Sequence, residues 1–173
     1  MNCRWLRETP DYKAIFYDNG KSQIAHAEAV WQNVYDLIYK HFKTPCDVAY
    51  LGCGTHRFSI DGASMFYFDK NPGPGVIDCD FDRDNRIWVR DVDYSVAVEL
   101  IEHLESPLHF LRLIKEYTRR AAIISTPNGE KSGLFSPGDY EYGHISILPD
   151  WLMEAHFKKV GLRVVEKRFS VPE

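Results

Sequence analysis

An unbroken apolar run, Val48-Ala49-Tyr50-Leu51, ends directly in Gly52-Cys53-Gly54. The run is too short for a helix and lacks helical spacing, so it reads as a strand buried on both faces, as in a parallel sheet. Two residues without side chains then let the backbone bend sharply and let a ligand approach it. A second apolar run, Met65-Phe66-Tyr67-Phe68, closes on Asp69, which places a carboxylate at the carboxyl end of the next strand. Ligands of open α/β sheets bind in the crevice outside those strand ends. A glycine turn on one strand and an acid on its neighbour suit a ribose-bearing ligand. The dinucleotide fingerprint G-x-G-x-x-G is absent, because Arg57 holds the third glycine's place, and no G-K-[ST] follows to cradle a triphosphate.

The rest of the chain supplies the layers such a sheet needs. At 173 residues it reads as an N-terminal arm, residues 1–20, ending in a turn at Asn19-Gly20, and one domain, residues 21–173, able to bury a real core. Ile24, Ala27, Trp31, Val34, Ile38 and Phe42 recur at three-and-four spacing, which predicts an amphipathic helix from Ser22 to Phe42, stopped by Pro45. Only about ten residues separate Gly54 from Met65, fewer than a crossover helix normally takes. Lys70-Asn71-Pro72-Gly73-Pro74-Gly75 is a turn that cannot be helix. Short strands are expected within Val76 to Asp82, where the run dissolves into acids, and at Tyr94 to Val98, the latter leading to Glu99. Ser106-Pro107 pairs an oxygen cap with proline at the first helical position, and Arg119-Arg120 suits the negative end of the helix that follows. A strand over 121–125 ends at Thr126-Pro127-Asn128. A long loop, Gly129 to Gly143, carries Phe135, Tyr140 and Tyr142, and loops of this length are usually functional. Asp150 caps a last helix closed by Gly161, and Leu162 to Glu166 is a final strand.

Charge and cysteine content narrow the function. Lys and Arg number 21 against 25 Asp and Glu, a net charge of −4, which argues against a dedicated nucleic-acid binder. The four cysteines (Cys3, Cys46, Cys53 and Cys79) form no C-x-x-C pair and show no zinc spacing, so reduced thiols and no metal are expected. Met1 to Glu8 lacks the apolar core of a signal peptide, and no run nears the ~18 apolar residues of a membrane span. The expectation is a cytoplasmic protein without membrane contact, its oligomeric state unspecified.

Five pieces in order, Leu51-Gly52-Cys53-Gly54-Thr55, Phe68-Asp69, Cys79-Asp80-Phe81-Asp82, Glu99-Leu100-Ile101-Glu102-His103-Leu104 and Ile124-Ser125-Thr126-Pro127-Asn128, resemble class I S-adenosylmethionine-dependent methyltransferases. The likeness is greatest to the small ubiquinone-biosynthesis-like, E-H-L-type group, in its shortened branch, and covers roughly residues 46–165. The resemblance implies an α/β, Rossmann-like fold: a mainly parallel sheet with helices on both faces, and reduced helices after the first two strands. The usual closing antiparallel hairpin would be incomplete. It implies S-adenosylmethionine as cofactor, with Gly52, Cys53 and Gly54 near its methionine and ribose portions. Asp69 would take the ribose hydroxyls, Asp80 and Phe81 the adenine, and Glu99 would lie beside the sulfonium. His103 would be the base and His144 an acceptor-pocket residue, for methyl transfer to a small-molecule or glycan hydroxyl. Two departures stand out: Tyr50 where the family usually has an acid, and His56 where it has a third glycine. They keep a rival open, a non-catalytic binding or scaffold subunit of the same fold. An RNA methyltransferase is disfavoured by net charge and by the lack of an Asn-Pro-Pro-Tyr-type motif.

Overall fold

The computed structural model describes residues 11–17, 23–84, 91–129 and 143–170. The apolar run before the glycine turn is strand β2 (Cys46–Leu51), and β3 (Ala63–Asp69) ends on the expected acid. Around them lie β1 (Asp11–Tyr17), α1 (Gln23–His41), β4 (Val76–Asp78), β5 (Val92–Val98), α2 (Pro107–Tyr117), β6 (Thr118–Pro127), α3 (Asp150–Val160) and β7 (Arg163–Ser170). The seven strands make one sheet in the order β4-β3-β2-β5-β6-β1-β7, and every neighbouring pair is parallel. It is a Rossmann-like α/β fold.

Alternation along the central strands splits the core into two layers, as a pleated strand buried on both faces requires. Val48 and Tyr50 of β2, Val96 of β5 and Ile123 of β6 pack under Val30, Val34, Leu37 and Ile38 of α1. The intervening residues, among them Ala49, Leu51, Ala97 and Ile124, face Phe110 and Ile114 of α2 and Met153 and Phe157 of α3. Phe110 is wholly buried and meets Phe81 edge-on at 5.4 Å. Burying such a ring stabilises by about 1.5–3 kcal/mol.

Residues 52–62 and 70–75 carry no helix, so β2, β3 and β4 are joined in parallel by loops alone, as the short spacings require. Three expectations change. The segment read as an arm contributes β1, which sits between β6 and β7 rather than outside the sheet. The expected incomplete antiparallel hairpin is replaced there by two parallel pairings, because β1 fills the place beside β6. Thr118-Arg119-Arg120 opens β6 instead of ending a helix: the Thr118 and Ser95 hydroxyls bond at 2.6 Å in the core, and Arg119 and Arg120 each reach Asp93 at 3.3 Å.

Caps also differ in detail. Ser106 is the residue before α2, but its side chain makes no capping bond. Its N–H instead donates to Asp82 at 3.0 Å. Pro149, not Asp150, holds the cap position of α3, and Asp150 binds Lys167 at 2.8 Å. Gly161 closes α3 at φ 79°, with the Leu162 N–H reaching back to Phe157 at 2.8 Å, the C-terminal closure expected of that glycine. The turn at Asn19-Gly20, Trp88 and the aromatics Phe135, Tyr140 and Tyr142 lie outside the described residues. Among the described residues, no helix is long and apolar enough to cross a membrane.

Helix α1 is tied to β7 by Glu166, whose carboxyl meets His41 at 2.7 Å, Lys40 at 3.1 Å and Arg168 at 3.0 Å. Burial pushes this carboxyl up, but the hydrogen bonds from His41, Lys40 and Arg168 outweigh it and hold it at about 2, below the ordinary 4.5. A depressed carboxyl stabilises the fold above its unfolded value and loses that contribution as pH falls toward its folded one. Glu166→Gln is therefore expected to cost about 1 kcal/mol at neutral pH, allowing for solvent screening. The difference from the parent should shrink between about pH 4.5 and pH 2. Paired denaturant titrations across that range check it, and a gap that does not depend on pH would count against the assignment.

Candidate active site

The glycine turn is shaped by β3 on one side and by the end of β5 on the other. The N–H groups of Gly52 and Cys53 both donate to the Phe68 carbonyl, at 2.8 and 3.1 Å, folding the turn over the end of β3. Gly52 has φ 64°, and a side-chain carbon there would come within 2.6 Å of Leu100, so space and backbone both demand glycine. Gly54 has φ 51° but nothing within 4 Å of where a side-chain carbon would stand. One glycine is required by packing and the other leaves an open approach.

Asp69 joins these parts. It is 9% exposed, and one carboxylate oxygen accepts from the Gly54 N–H at 2.8 Å while the other accepts from Asn71 N–H at 2.9 Å. Each oxygen keeps a lone pair free for a further donor. Gly52, Gly54 and Asp69 line a cleft of about 660 Å³ at the carboxyl ends of the strands, together with Asp80, Phe81, Glu99 and His103. Cys53 is placed differently: its thiol is buried against the α1 layer, and the residue adds only backbone to the turn.

The aspartates after β4 tie their loop together. Asp84 accepts from the Asp80 N–H at 2.7 Å, Asp80 from the Asp82 N–H at 3.1 Å, and Asp82 from the Ser106 N–H at 3.0 Å. Asp80 and Asp82 also line the cleft, Asp80 with its side chain 40% exposed and 3.5 Å from Arg83. The two residues that departed from the family pattern lie away from the cleft. The Tyr50 ring is buried, at 5.9 Å from Trp31 and 4.9 Å from Phe58, and the His56 ring lies 4.1 Å from Trp31. They form an aromatic wall behind the turn.

At the other end of the cleft, Glu99 follows β5 with φ 51°, the one non-glycine with positive φ among the described residues. Its N–H donates to the Ser125 carbonyl at 3.2 Å, and its carboxyl accepts from the Ser125 hydroxyl. Glu102 follows in a 3-10 turn, Ile101–His103, and is 0% exposed. Its carbonyl accepts from the N–H groups of Ile145 and Ser146, both at 2.9 Å, and its buried carboxyl lies within hydrogen-bonding reach of Glu99 and Thr126. Burial drives both carboxyls up, Glu102 to about 8, and for Glu99 the neighbouring Glu102 charge adds to it. The pair therefore holds at least one proton at neutral pH.

His103 Nδ1 lies 3.0 Å from the Gly143 carbonyl. A carbonyl can only accept, so Nδ1 carries the hydrogen and Nε2 of the neutral ring keeps a lone pair. Burial lowers the His103 pKa, with the Gly143 bond opposing it. The His144 ring stands 4.8 Å from that of His103, and its own buried Nδ1 has no partner. Metal-binding atoms of Glu102, His103 and His144 lie within 4.8 Å of one another, a group the cysteine spacing could not reveal. Glu102 belongs to the fourth of the five sequence pieces, but its own spacing does not foretell that it is wholly buried. The available signal was Glu99-x-x-Glu102-His103, three acceptors within one turn.

No protein-family model matches this chain, and no curated protein matches it. Solved structures do. The crystal structure of a SAM dependent methyltransferase from Aquifex aeolicus aligns with a TM-score of 0.56 at 14% identity, over 80% of this chain and 83% of that one. A chain of the complex between the Haloferax volcanii Trm112 methyltransferase activator and the putative methyltransferase aligns with a TM-score of 0.56 at 16% identity, over 83% of this chain and 72% of that one. At these identities the likeness establishes a shared fold.

Proposed function

We propose that this chain transfers a methyl group from S-adenosylmethionine to a hydroxyl of a small-molecule or glycan acceptor. The observation that carries the reading is one continuous cleft with Asp69 and the open Gly54 at one end and Glu99 and His103 at the other. Asp69 would accept from the ribose hydroxyls through the lone pairs its backbone bonds leave free. Asp80 and Phe81 would border the adenine, and the glycine turn the methionine portion. The bound cofactor supplies an electrophilic methyl on a sulfonium, so the protein's task is alignment and removal of the acceptor proton. His103 Nε2 is the group for that proton, its ring held in one tautomer by Gly143. The scaffold rival drew on Tyr50 and His56, and the placement of both rings behind the turn leaves the cleft to a ligand.

Calorimetric titration with S-adenosylmethionine and S-adenosylhomocysteine tests the reading. Absence of both heat and thermal shift would sink it.

The gathering of Glu102, His103 and His144, with the buried His144 Nδ1 lacking a partner, favours a second reading of the acceptor end, in which these three residues hold a divalent cation. Such an ion supplies Lewis-acid stabilisation to an acceptor oxygen. Titration with Mn²⁺ or Zn²⁺ alone is expected to show one site, lost in His144→Ala. No binding leaves His103 acting by itself.

A further inference from the structure

In a strand-turn-helix arrangement, the last carbonyls of the turn are held by N–H groups four residues further on, in the helix that follows. Here no helix follows Gly54 within residues 52–62, and the turn must be fixed in another way. Arg57 does this. Its Nη1 donates to the Gly54 carbonyl at 2.7 Å and the His56 carbonyl at 2.7 Å, with the Cys53 carbonyl at 3.4 Å. The guanidinium also lies 5.3 Å from the centre of the Tyr67 ring, which the Tyr67 hydroxyl anchors to the Phe58 carbonyl at 2.7 Å. His56, between Arg57 and the turn, is pinned on Trp31. Gly54 is thus gripped from two sides, its N–H by Asp69 and its carbonyl by Arg57.

We propose that Arg57 is a positioning residue that replaces the missing helix and holds the glycine turn in the shape the cofactor requires. The inference rests on the methyltransferase reading for its ligand, but not for the geometry of the turn. The residue that breaks the dinucleotide pattern is then the one that makes this turn workable. Lysine would not serve equally, because an ammonium on a flexible stem lacks the planar guanidinium that reaches the carbonyls while lying 5.3 Å from the Tyr67 ring centre.

The experiment has two arms on Arg57→Ala, Arg57→Lys and Arg57→Met, the last keeping the apolar stem should the alanine variant fold poorly. Hydrogen exchange of the ligand-free protein reads residues 52–57, and calorimetry reads affinity for S-adenosylhomocysteine. Faster exchange confined to that segment is expected, with affinity lower by about tenfold from the loss of charge-assisted bonds, and arginine alone giving full affinity. Unchanged exchange overturns the proposal, as does wild-type affinity in the alanine or methionine variant. If the wild type itself binds nothing, the functional reading fails, and the exchange arm alone still decides whether Arg57 fixes the turn.

Discussion

Asp69→Asn is expected to weaken S-adenosylhomocysteine binding by about a hundredfold, because charge-assisted hydrogen bonds to a carboxylate are worth about 1.5–3 kcal/mol each. The substitution preserves shape and burial, so the loss isolates charge and acceptor count. The carboxylate serves two backbone donors at once, Gly54 N–H and Asn71 N–H. An amide has one acceptor oxygen, so its NH₂ group must face one of those donors or turn toward the ribose. The ligand-free variant should therefore also lose about 1–2 kcal/mol of stability. Calorimetry together with a thermal melt separates the two effects. Affinity within threefold of the parent would mean that the nucleoside is held elsewhere.

The second large effect belongs to His103. His103→Ala is expected to lower kcat by about 10²–10⁴-fold, the range of a lost general base, with affinity for S-adenosylhomocysteine within a factor of about two. The split follows from position. The ring sits after β5, beyond Glu99, two strands over from the β3 end that carries Asp69. Its tautomer is set by Gly143, which lines the same cleft. A methyltransfer assay over a panel of hydroxyl acceptors reads kcat, and calorimetry reads the cofactor end. An equal loss in both would make His103 part of cofactor binding, and unchanged turnover would remove it from the chemistry.

The sequence was most readable where one periodicity decided the outcome. Helix α1 follows from the spacing of Trp31, Val34 and Ile38, and β2 from an apolar run ending in glycine. The glycine turn and Asp69 were legible because each combines a special residue with a strand end. Arg119 and Arg120 were misplaced because basic residues suit both a helix terminus and a strand opening, and the deciding partner, Asp93, lies far back in the chain. Asp80, Asp82 and Asp84 look alike in the sequence and all three accept a backbone N–H, but only Asp80 and Asp82 reach the cleft. The gathering of Glu102 with His144 depends on Ile145 and Ser146 binding the Glu102 carbonyl, a long-range pairing without a local signature.

The place of β1 constrains how the sheet can be assembled. Asp11 pairs with Ala121 on one side and Arg163 on the other, so among the described strands β7 reaches the sheet only through β1. During synthesis the earliest of these strands must wait, unpaired, until β6 has left the ribosome, and only then can it offer an edge to the latest. Closing contacts so distant in sequence slows folding. The last stage of assembly would therefore be the joining of the two ends of the described chain.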